Sequence, residues 1–275
     1  MIRLEDGEDW LLLGHADHAA LAGEFARHWK NRLFRPPEPF AHVLDAVARH
    51  DDGWRAIDAL PSLTPEGRPS AFSRDLVGTY DAFEEIDLAA YLKVRAEATE
   101  TAARRDPYAA VLISMHTVNL LTEQADPSAL TGREAAVHER FVAGQEARQR
   151  ELVEGMKAGD WPGEWLEAEC FRRGFEFLQA CDSLSLFVGV DYDRPGTLRH
   201  AQPTREGART EIRFSPLGDG SFALDPYPFD EPELTFAVPY RRVPGSATHD
   251  EETFREAYRE ATPFERTVLL RTVPR

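Results

Sequence analysis

The residues that could do chemistry in this chain are histidines and aspartates on otherwise apolar helical stripes. His50 and Asp51 close a predicted amphipathic helix whose buried stripe is formed by Phe40, Val43 and Val47. Both residues therefore fall where a buried face continues. A carboxylate in an apolar interior is costly unless it is neutralised, paired or bound to a metal ion. We favour the metal ion.

The same anomaly recurs at His18, His116 and Asp182. His18 precedes Leu21 at helical spacing, His116 follows a run of small and apolar residues, and Asp182 follows Leu178 by one helical turn. Taken singly, each has a structural alternative: a hydrogen-bonded core histidine, or a helix cap or arginine partner for the aspartate. Taken together, they predict a cation held by nitrogen and oxygen ligands.

The ligand types limit the choice of metal. Imidazole and carboxylate suit Mn, Fe, Zn, Ni or Mg, and the lack of paired cysteines argues against a thiolate zinc finger. We predict one or two such divalent ions. His50 and Asp51 differ by about 100° around a helix, so a helix end would let both reach one ion. Gly53 is expected to supply that end as a left-handed cap. His138 is a further candidate ligand, with a surface or supporting role as the alternative.

Helical periodicity dominates the first 190 residues. Helices are predicted near 16–30, 38–51, 87–105, 107–124, 131–157 and 163–189. Thr131 and Glu134 have the spacing of a capping box. The segment from Gly53 to Phe83 is irregular and rich in proline and glycine, and a segment of that length is more often functional than idle.

The pattern changes near residues 192–196, after which a small antiparallel β unit with one helix is predicted. Alternating residues flank a turn at Gly218-Asp219-Gly220, which indicates a hairpin. A further strand is expected near 234–240, a helix at 250–261 and a closing strand at 267–273. We therefore predict a mainly α protein with a helical metal-binding domain at 1–195 and a small α+β subdomain at 196–275.

The composition limits which partners the protein is expected to bind. The net charge of −16, from 48 acidic and 32 basic residues, disfavours nucleic acid and anionic membranes. A small anionic substrate would need a local patch or a cation to attract it, and a homodimer is left open. Cys170 and Cys181 are too far apart on one helix for a disulfide, which favours a reducing cytoplasm. No apolar run approaches the roughly 20 residues needed to span a membrane, and the first 13 residues do not form a signal peptide.

The order His18, His50-Asp51, Asp182 resembles the HD-domain superfamily of metal-dependent phosphohydrolases. In that superfamily one helix supplies a histidine, a second the His-Asp pair and a late helix an aspartate. His116, with His138 as a companion, is similar to the additional histidines of two-metal members and of di-iron oxygenases on this fold. The string from His50 to Trp54 (HDDGW) resembles a family of uncharacterised bacterial proteins over the whole chain. The resemblance implies an HD-like helical bundle with a β appendage.

The resemblance also implies hydrolysis of a small phosphorylated compound by metal-activated water. Asp52 would then act as a base or orient the water, with a solvated helix-end residue as the alternative. Arg68 and Arg74 on the irregular segment would contact the anionic substrate, unless they are ordinary surface charges. Two alternatives stay open: a di-iron oxygenase, and a non-catalytic metal-containing binding or regulatory protein.

Overall fold

The helices form close to where periodicity predicts them. The computed structural model describes residues 1–77, 88–125, 130–218 and 220–273. Within these residues the α-helices are α1 His15–His28, α2 Phe40–Arg49, α3 Arg55–Asp58, α4 Leu88–Ala103, α5 Pro107–Thr122, α6 Gly132–Lys157, α7 Ala168–Gly189 and α8 Glu251–Glu260.

Local chemistry sets several helix boundaries. The predicted capping box at the start of α6 is confirmed, because Thr131 and Glu134 each accept a hydrogen bond from the other's backbone amide. Asp106 caps α5 by accepting bonds from the amides of Tyr108 and Ala109. The helix predicted near 163–189 begins only at Ala168, after a separate 3-10 turn over Gly163–Leu166.

The strands form one large sheet and one small pair. They are β1 Ile2–Asp6, β2 Asp9–Leu13, β3 Gly196–Thr197, β4 Gln202–Pro203, β5 Arg209–Thr210, β6 Arg213–Gly218, β7 Ser221–Asp225, β8 Glu233–Pro244 and β9 Pro263–Thr272. The large sheet has seven strands in the order β1-β2-β8-β9-β7-β6-β3, and β4 pairs only with β5. β7 and β9 run parallel and the other neighbours are antiparallel, so the sheet is mixed.

The predicted fold class is therefore wrong. The protein is not a mainly α bundle with a small β subdomain: about half of it is helical, and the curled seven-stranded sheet is a principal element. The first strands account for much of the error, since β1 pairs with β2 and β2 pairs with β8, where Asp9 lies opposite Pro244. The division at residue 195 stays a prediction, although this sheet joins strands from both sides of it.

Both faces of the sheet near β2 are buried, which explains the absence of an alternating pattern in this part of the sequence. Leu11 and Leu13 pack into the main core with helix residues such as Phe25. Leu12 points into a second cluster with Val243 and Phe254. A strand covered on both sides is a continuous apolar run rather than an alternating one.

The C-terminal elements agree with the predicted pattern. β6 and β7 form the hairpin, with Phe214 opposite Leu224; Asp219 of its turn lies outside the described residues. β8, α8 and β9 correspond to the strand, helix and closing strand predicted after it. Residues 78–83 of the irregular segment also lie outside the described part of the chain.

Candidate metal centre

Four of the predicted ligands meet at one point in the core. His18 lies on α1, His50 and Asp51 directly follow α2, and Asp182 lies on α7. Nε2 of His18 is 3.2 Å from Nε2 of His50, 3.5 Å from Oδ2 of Asp51 and 3.3 Å from Oδ1 of Asp182. Nε2 of His50 is 3.7 Å and 3.4 Å from the same two oxygens. The predicted helix end after α2 therefore brings both residues of the pair to one position.

These separations fit a single cation. Ligand atoms about 2.1 Å from a tetrahedral ion lie about 3.4 Å from one another. The nitrogen–nitrogen distance and the four nitrogen–oxygen distances of 3.2–3.7 Å bracket this value. The donor set of two imidazoles and two carboxylates is one that divalent transition metals accept.

Hydrogen bonds fix which nitrogen of each histidine faces this point. Nδ1 of His50 is 2.9 Å from the carbonyl oxygen of Val47, which can only accept, so Nδ1 carries a proton. Ser185 Oγ donates to the carbonyl of Asp182 at 2.8 Å, so it accepts from Nδ1 of His18 at 2.7 Å. With both Nδ1 atoms protonated, the neutral rings direct two Nε2 lone pairs at each other. Such a juxtaposition requires a shared proton or a cation.

The surrounding charges keep both carboxylates ionised. Burial alone would raise the pKa of Asp51, but the Arg95 guanidinium and His50 hold it well below its usual range. The pKa of Asp182 is likewise lowered, since His50 and its neighbouring imidazoles outweigh the effect of burial. Burial opposes protonation of His50, yet Asp51 and Asp182 raise its pKa to about 9. A proton on His50 therefore occupies the place that a metal ion would take.

His116 supplies a third imidazole beside the first two. Its ring centroid lies 5.1 Å from that of His50, and His50, His116 and Asp182 form a second group of mutually close donor atoms. Burial, with smaller effects from His50 and Arg95, lowers the pKa of His116 to about 3, so its ring is neutral. Because Nδ1 of His50 is held by Val47, both groups share one ligating nitrogen, which favours a single ion.

Arg95 is the charged neighbour of this cluster, and the sequence analysis missed it. Its Nη1 donates to Oδ1 of Asp51 at 2.6 Å, which leaves Oδ2 directed at the histidines. The guanidinium carbon lies 5.3 Å from the ring of Trp54 and 5.1 Å from that of Tyr91. The side chain is 7% exposed, so a full charge is buried beside the candidate metal ligands.

Gly53 allows this approach, although not in the way predicted. It is not among the glycines with positive φ, so the expected left-handed cap is wrong. Instead, Asp52–Trp54 form a 3-10 turn packed against α4, and a Cβ on Gly53 would lie 2.8 Å from the carbonyl oxygen of Val94. The missing side chain lets the turn that carries Asp51 reach the helix that carries Arg95.

Gly53→Ala is expected to destabilise the protein by about 1–3 kcal/mol, because the new methyl group overlaps helix backbone. Gly144→Ala is the matched control: it lies on α6, nothing surrounds its Cβ position, and alanine is the better helix former by about 0.5–1 kcal/mol. Denaturant unfolding of the two variants measures the difference. Equal stability of Gly53→Ala and the unmodified protein would contradict the packing argument.

A cavity of 470 Å³ opens beside the cluster. His18, Asp51, His116 and Asp182 contribute to its lining, whereas His50 does not. Part of the predicted irregular segment also lines it, including Trp54 and residues 71, 72, 76 and 77. The volume lies within the range of about 300–1,000 Å³ that is typical of small-molecule sites.

The remaining predicted site residues lie elsewhere. Oδ1 of Asp52 is 2.8 Å from Arg55, and Asp52 lines a separate surface groove. Arg68 is exposed, and Arg74 pairs with Asp193 at 3.0 Å and with backbone carbonyls after α7. His138 is buried on α6 with Nε2 3.0 Å from the carbonyl of Leu121. The structure does not bring these four residues into the cluster or the cavity lining.

Two further polar residues hold the ligands. Ser185 binds His18, and the amide nitrogen of Gln179 lies 3.2 Å from Nδ1 of His116. His15 lines the cavity, stacks on Trp54 with ring centroids 4.4 Å apart and pairs with Asp58 at 3.0 Å. Ser185 follows Asp182 within one helical turn, a spacing that could have indicated its supporting role.

The fold and cluster define a protein with a buried histidine-carboxylate centre beneath a cavity, in a mixed α and β architecture. A family model described as "Protein of unknown function (DUF3891)" matches residues 1–245, so the chain belongs to the DUF3891 family. No curated protein and no solved structure matches the chain. None of the described helices is long and apolar enough to cross a membrane.

Proposed function

We propose that the protein is a metal-dependent hydrolase that acts on a small phosphorylated compound through a metal-activated water. The observation that carries the proposal is the meeting of the Nε2 atoms of His18 and His50, 3.2 Å apart, each 3.3–3.7 Å from one oxygen of Asp51 and one of Asp182. The family description names no activity. The proposal of hydrolysis, like the HD-domain resemblance, is therefore argued only from the histidines and aspartates of this chain. Fold alone does not establish function.

The residues that would hold the ion are His18, His50, Asp51 and Asp182, with His116 beside them. A divalent ion held there would lower the pKa of a bound water and stabilise negative charge on phosphoryl oxygens. Val47 and Ser185 orient the imidazoles, and Arg95 holds one oxygen of Asp51 so that the other faces the histidines. The chain therefore presents ligands whose positions are set before substrate arrives.

Charge also supports an anionic substrate. Asp51 and Asp182 contribute two negative charges and Arg95 one positive charge, so a divalent ion with neutral histidines gives the centre a net positive charge. This local charge opposes the field of a protein whose net charge is −16. It supplies the local attraction that such a substrate requires.

Elemental analysis of protein purified without chelator or affinity tag tests the proposal. We expect about one equivalent of Mn, Fe, Zn or Ni per chain, or Mg retained more weakly, together with hydrolysis of p-nitrophenyl phosphate that EDTA abolishes and metal restores. Failure to bind any of these ions after reconstitution would overturn the metal centre and favour a non-catalytic binding role. Two equivalents of iron without phosphatase activity would favour the oxygenase alternative.

The predictions of cellular location and of binding partners are based on the sequence alone. Cys170 and Cys181 are both free thiols, as their spacing predicts. The reducing cytoplasm inferred from them, the exclusion of nucleic acid and membranes, and the homodimer stay predictions.

A further inference from the structure

The cavity wall carries information about the substrate beyond its anionic group. Aromatic side chains from four parts of the chain line it: Trp54, Phe72, Tyr91, Phe187 and Tyr192. Leu76, Leu120 and Leu186 add aliphatic surface. The wall is therefore apolar over much of the space that extends away from the metal ligands.

The charged residues of the lining have a distinct arrangement. Asp51 and Asp182 are the carboxylates among the described lining residues, and both belong to the metal cluster. The lining arginines are Arg95, which is paired with Asp51, and Arg199. In a strongly acidic protein, the described lining residues place no carboxylate along the wall where a ligand body would lie.

We propose that the substrate is an amphiphile, with one anionic phosphate-type head at the metal ligands and an apolar aryl or alkyl body against the aromatic wall. This inference rests on the proposed function for the head group. An apolar body gains about 25 cal/mol for each Å² it removes from water. A sugar or nucleoside body would leave hydroxyl groups unpaired wherever they face the aromatic and aliphatic part of this wall, at a cost of about 1–3 kcal/mol each.

Two phosphonates that cannot be hydrolysed isolate the contribution of the body. They are methylphosphonate and 1-naphthylphosphonate, compared by isothermal titration calorimetry on metal-loaded protein. We expect 1-naphthylphosphonate to bind at least about 30-fold more tightly, because only its ring system reaches the wall. The phosphonate analogue of ribose 5-phosphate, which has a polar body and also resists hydrolysis, is expected to bind no more tightly than methylphosphonate. Equal affinity of methylphosphonate and 1-naphthylphosphonate, or preference for the ribose phosphonate, would overturn the proposal.

Wall variants make the test specific to the cavity. Leu120→Gln and Leu76→Gln place polar groups on partly exposed wall positions outside the hydrophobic core clusters. Each is expected to reduce the affinity ratio below about tenfold while metal content and methylphosphonate affinity stay unchanged. Leu60→Gln is the matched control, since Leu60 is 65% exposed and does not line the cavity. An unchanged ratio in both wall variants would contradict the assigned position of the body.

Failure of the metal centre is distinguishable from failure of this inference. Neutral 1-naphthol requires no metal, so its binding to metal-free protein reports the wall alone. Protein that takes up no metal but binds 1-naphthol, with loss of binding in Leu120→Gln, would overturn the proposed hydrolase and support the apolar subsite. Metal-loaded protein that binds methylphosphonate and 1-naphthylphosphonate equally would overturn the apolar subsite and leave the proposed metal centre intact.

Discussion

Replacing His50 with alanine is expected to lower the metal affinity by more than about 100-fold. Even partners outside the ligand shell typically contribute 10- to 100-fold to metal affinity, and His50 Nε2 belongs to both groups of close donor atoms. The variant also removes the positively charged imidazole that separates Asp51 from Asp182 in metal-free protein. Metal content after dialysis, measured by elemental analysis alongside circular dichroism, gives the result.

Two controls separate ligation from general damage. His138→Gln changes another buried histidine and keeps a donor for the Leu121 carbonyl, so the metal should be retained. Arg74→Ala removes contacts with the segment after α7, and this variant should also retain the metal. A folded His50→Ala protein with a full equivalent of tightly bound metal would refute the proposed centre. Metal loss in His138→Gln alone would move the site to α6.

The five central residues could be predicted because the relevant signal is local. An ionisable residue on an apolar helical stripe, as at His18 or Asp182, points into the core wherever the helix packs. Five such residues, contributed by four helices, predict a shared site. The side-chain directions follow from helical periodicity even when the path between helices is unknown.

Arg95 carries the same signal and was overlooked. It lies seven residues after Leu88, four after Tyr91 and three before Ala98, and all three of these residues are buried. Arginine at such a position is usually assigned to the surface because its long side chain can reach water. Applied without that assumption, the stripe criterion would have identified the partner of Asp51.

The large sheet could not be predicted in the same way. Its assembly depends on β2 pairing with β8, more than two hundred residues later, and periodicity does not encode partners at that distance. The close contact at Gly53 could not be predicted either. A local sequence pattern does not distinguish a left-handed cap from backbone packed against another helix. Long-range pairing and close packing therefore account for the two main corrections to the predicted structure.

Arg95→Met is expected to destabilise the metal-free protein by about 3–5 kcal/mol. The methionine leaves the buried carboxylate of Asp51 without the guanidinium that donates to it at 2.6 Å, and removing one partner of a buried ion pair costs about that much. Arg148→Met is the control, since Arg148 pairs with Glu100 at the surface and should contribute at most about 1 kcal/mol. Denaturant unfolding in EDTA measures both.

Added metal is expected to restore part of the stability of Arg95→Met and to raise its unfolding midpoint more than that of the unmodified protein. Two effects on metal affinity oppose each other. Loss of the positioning bond to Asp51 costs about 10- to 100-fold, or roughly 1.4–2.8 kcal/mol. Removing the positive charge that repels the ion should make the free energy of binding more favourable, by more than this loss. Two unit charges 4 Å apart interact by about 4 kcal/mol at an effective dielectric constant of 20.

The sign of this shift distinguishes Arg95 from a metal ligand. A ligand variant such as His50→Ala should lose the stabilisation by metal. Arg95→Met should instead be stabilised by metal more strongly than the unmodified protein is, and should bind methylphosphonate more weakly. Stabilisation by bound metal follows directly from its affinity for the folded state, so parallel titrations with Zn²⁺ and Mn²⁺ are sufficient. An equal or smaller metal-induced shift in Arg95→Met would show that positioning of Asp51 outweighs charge repulsion and would contradict this account of the buried guanidinium.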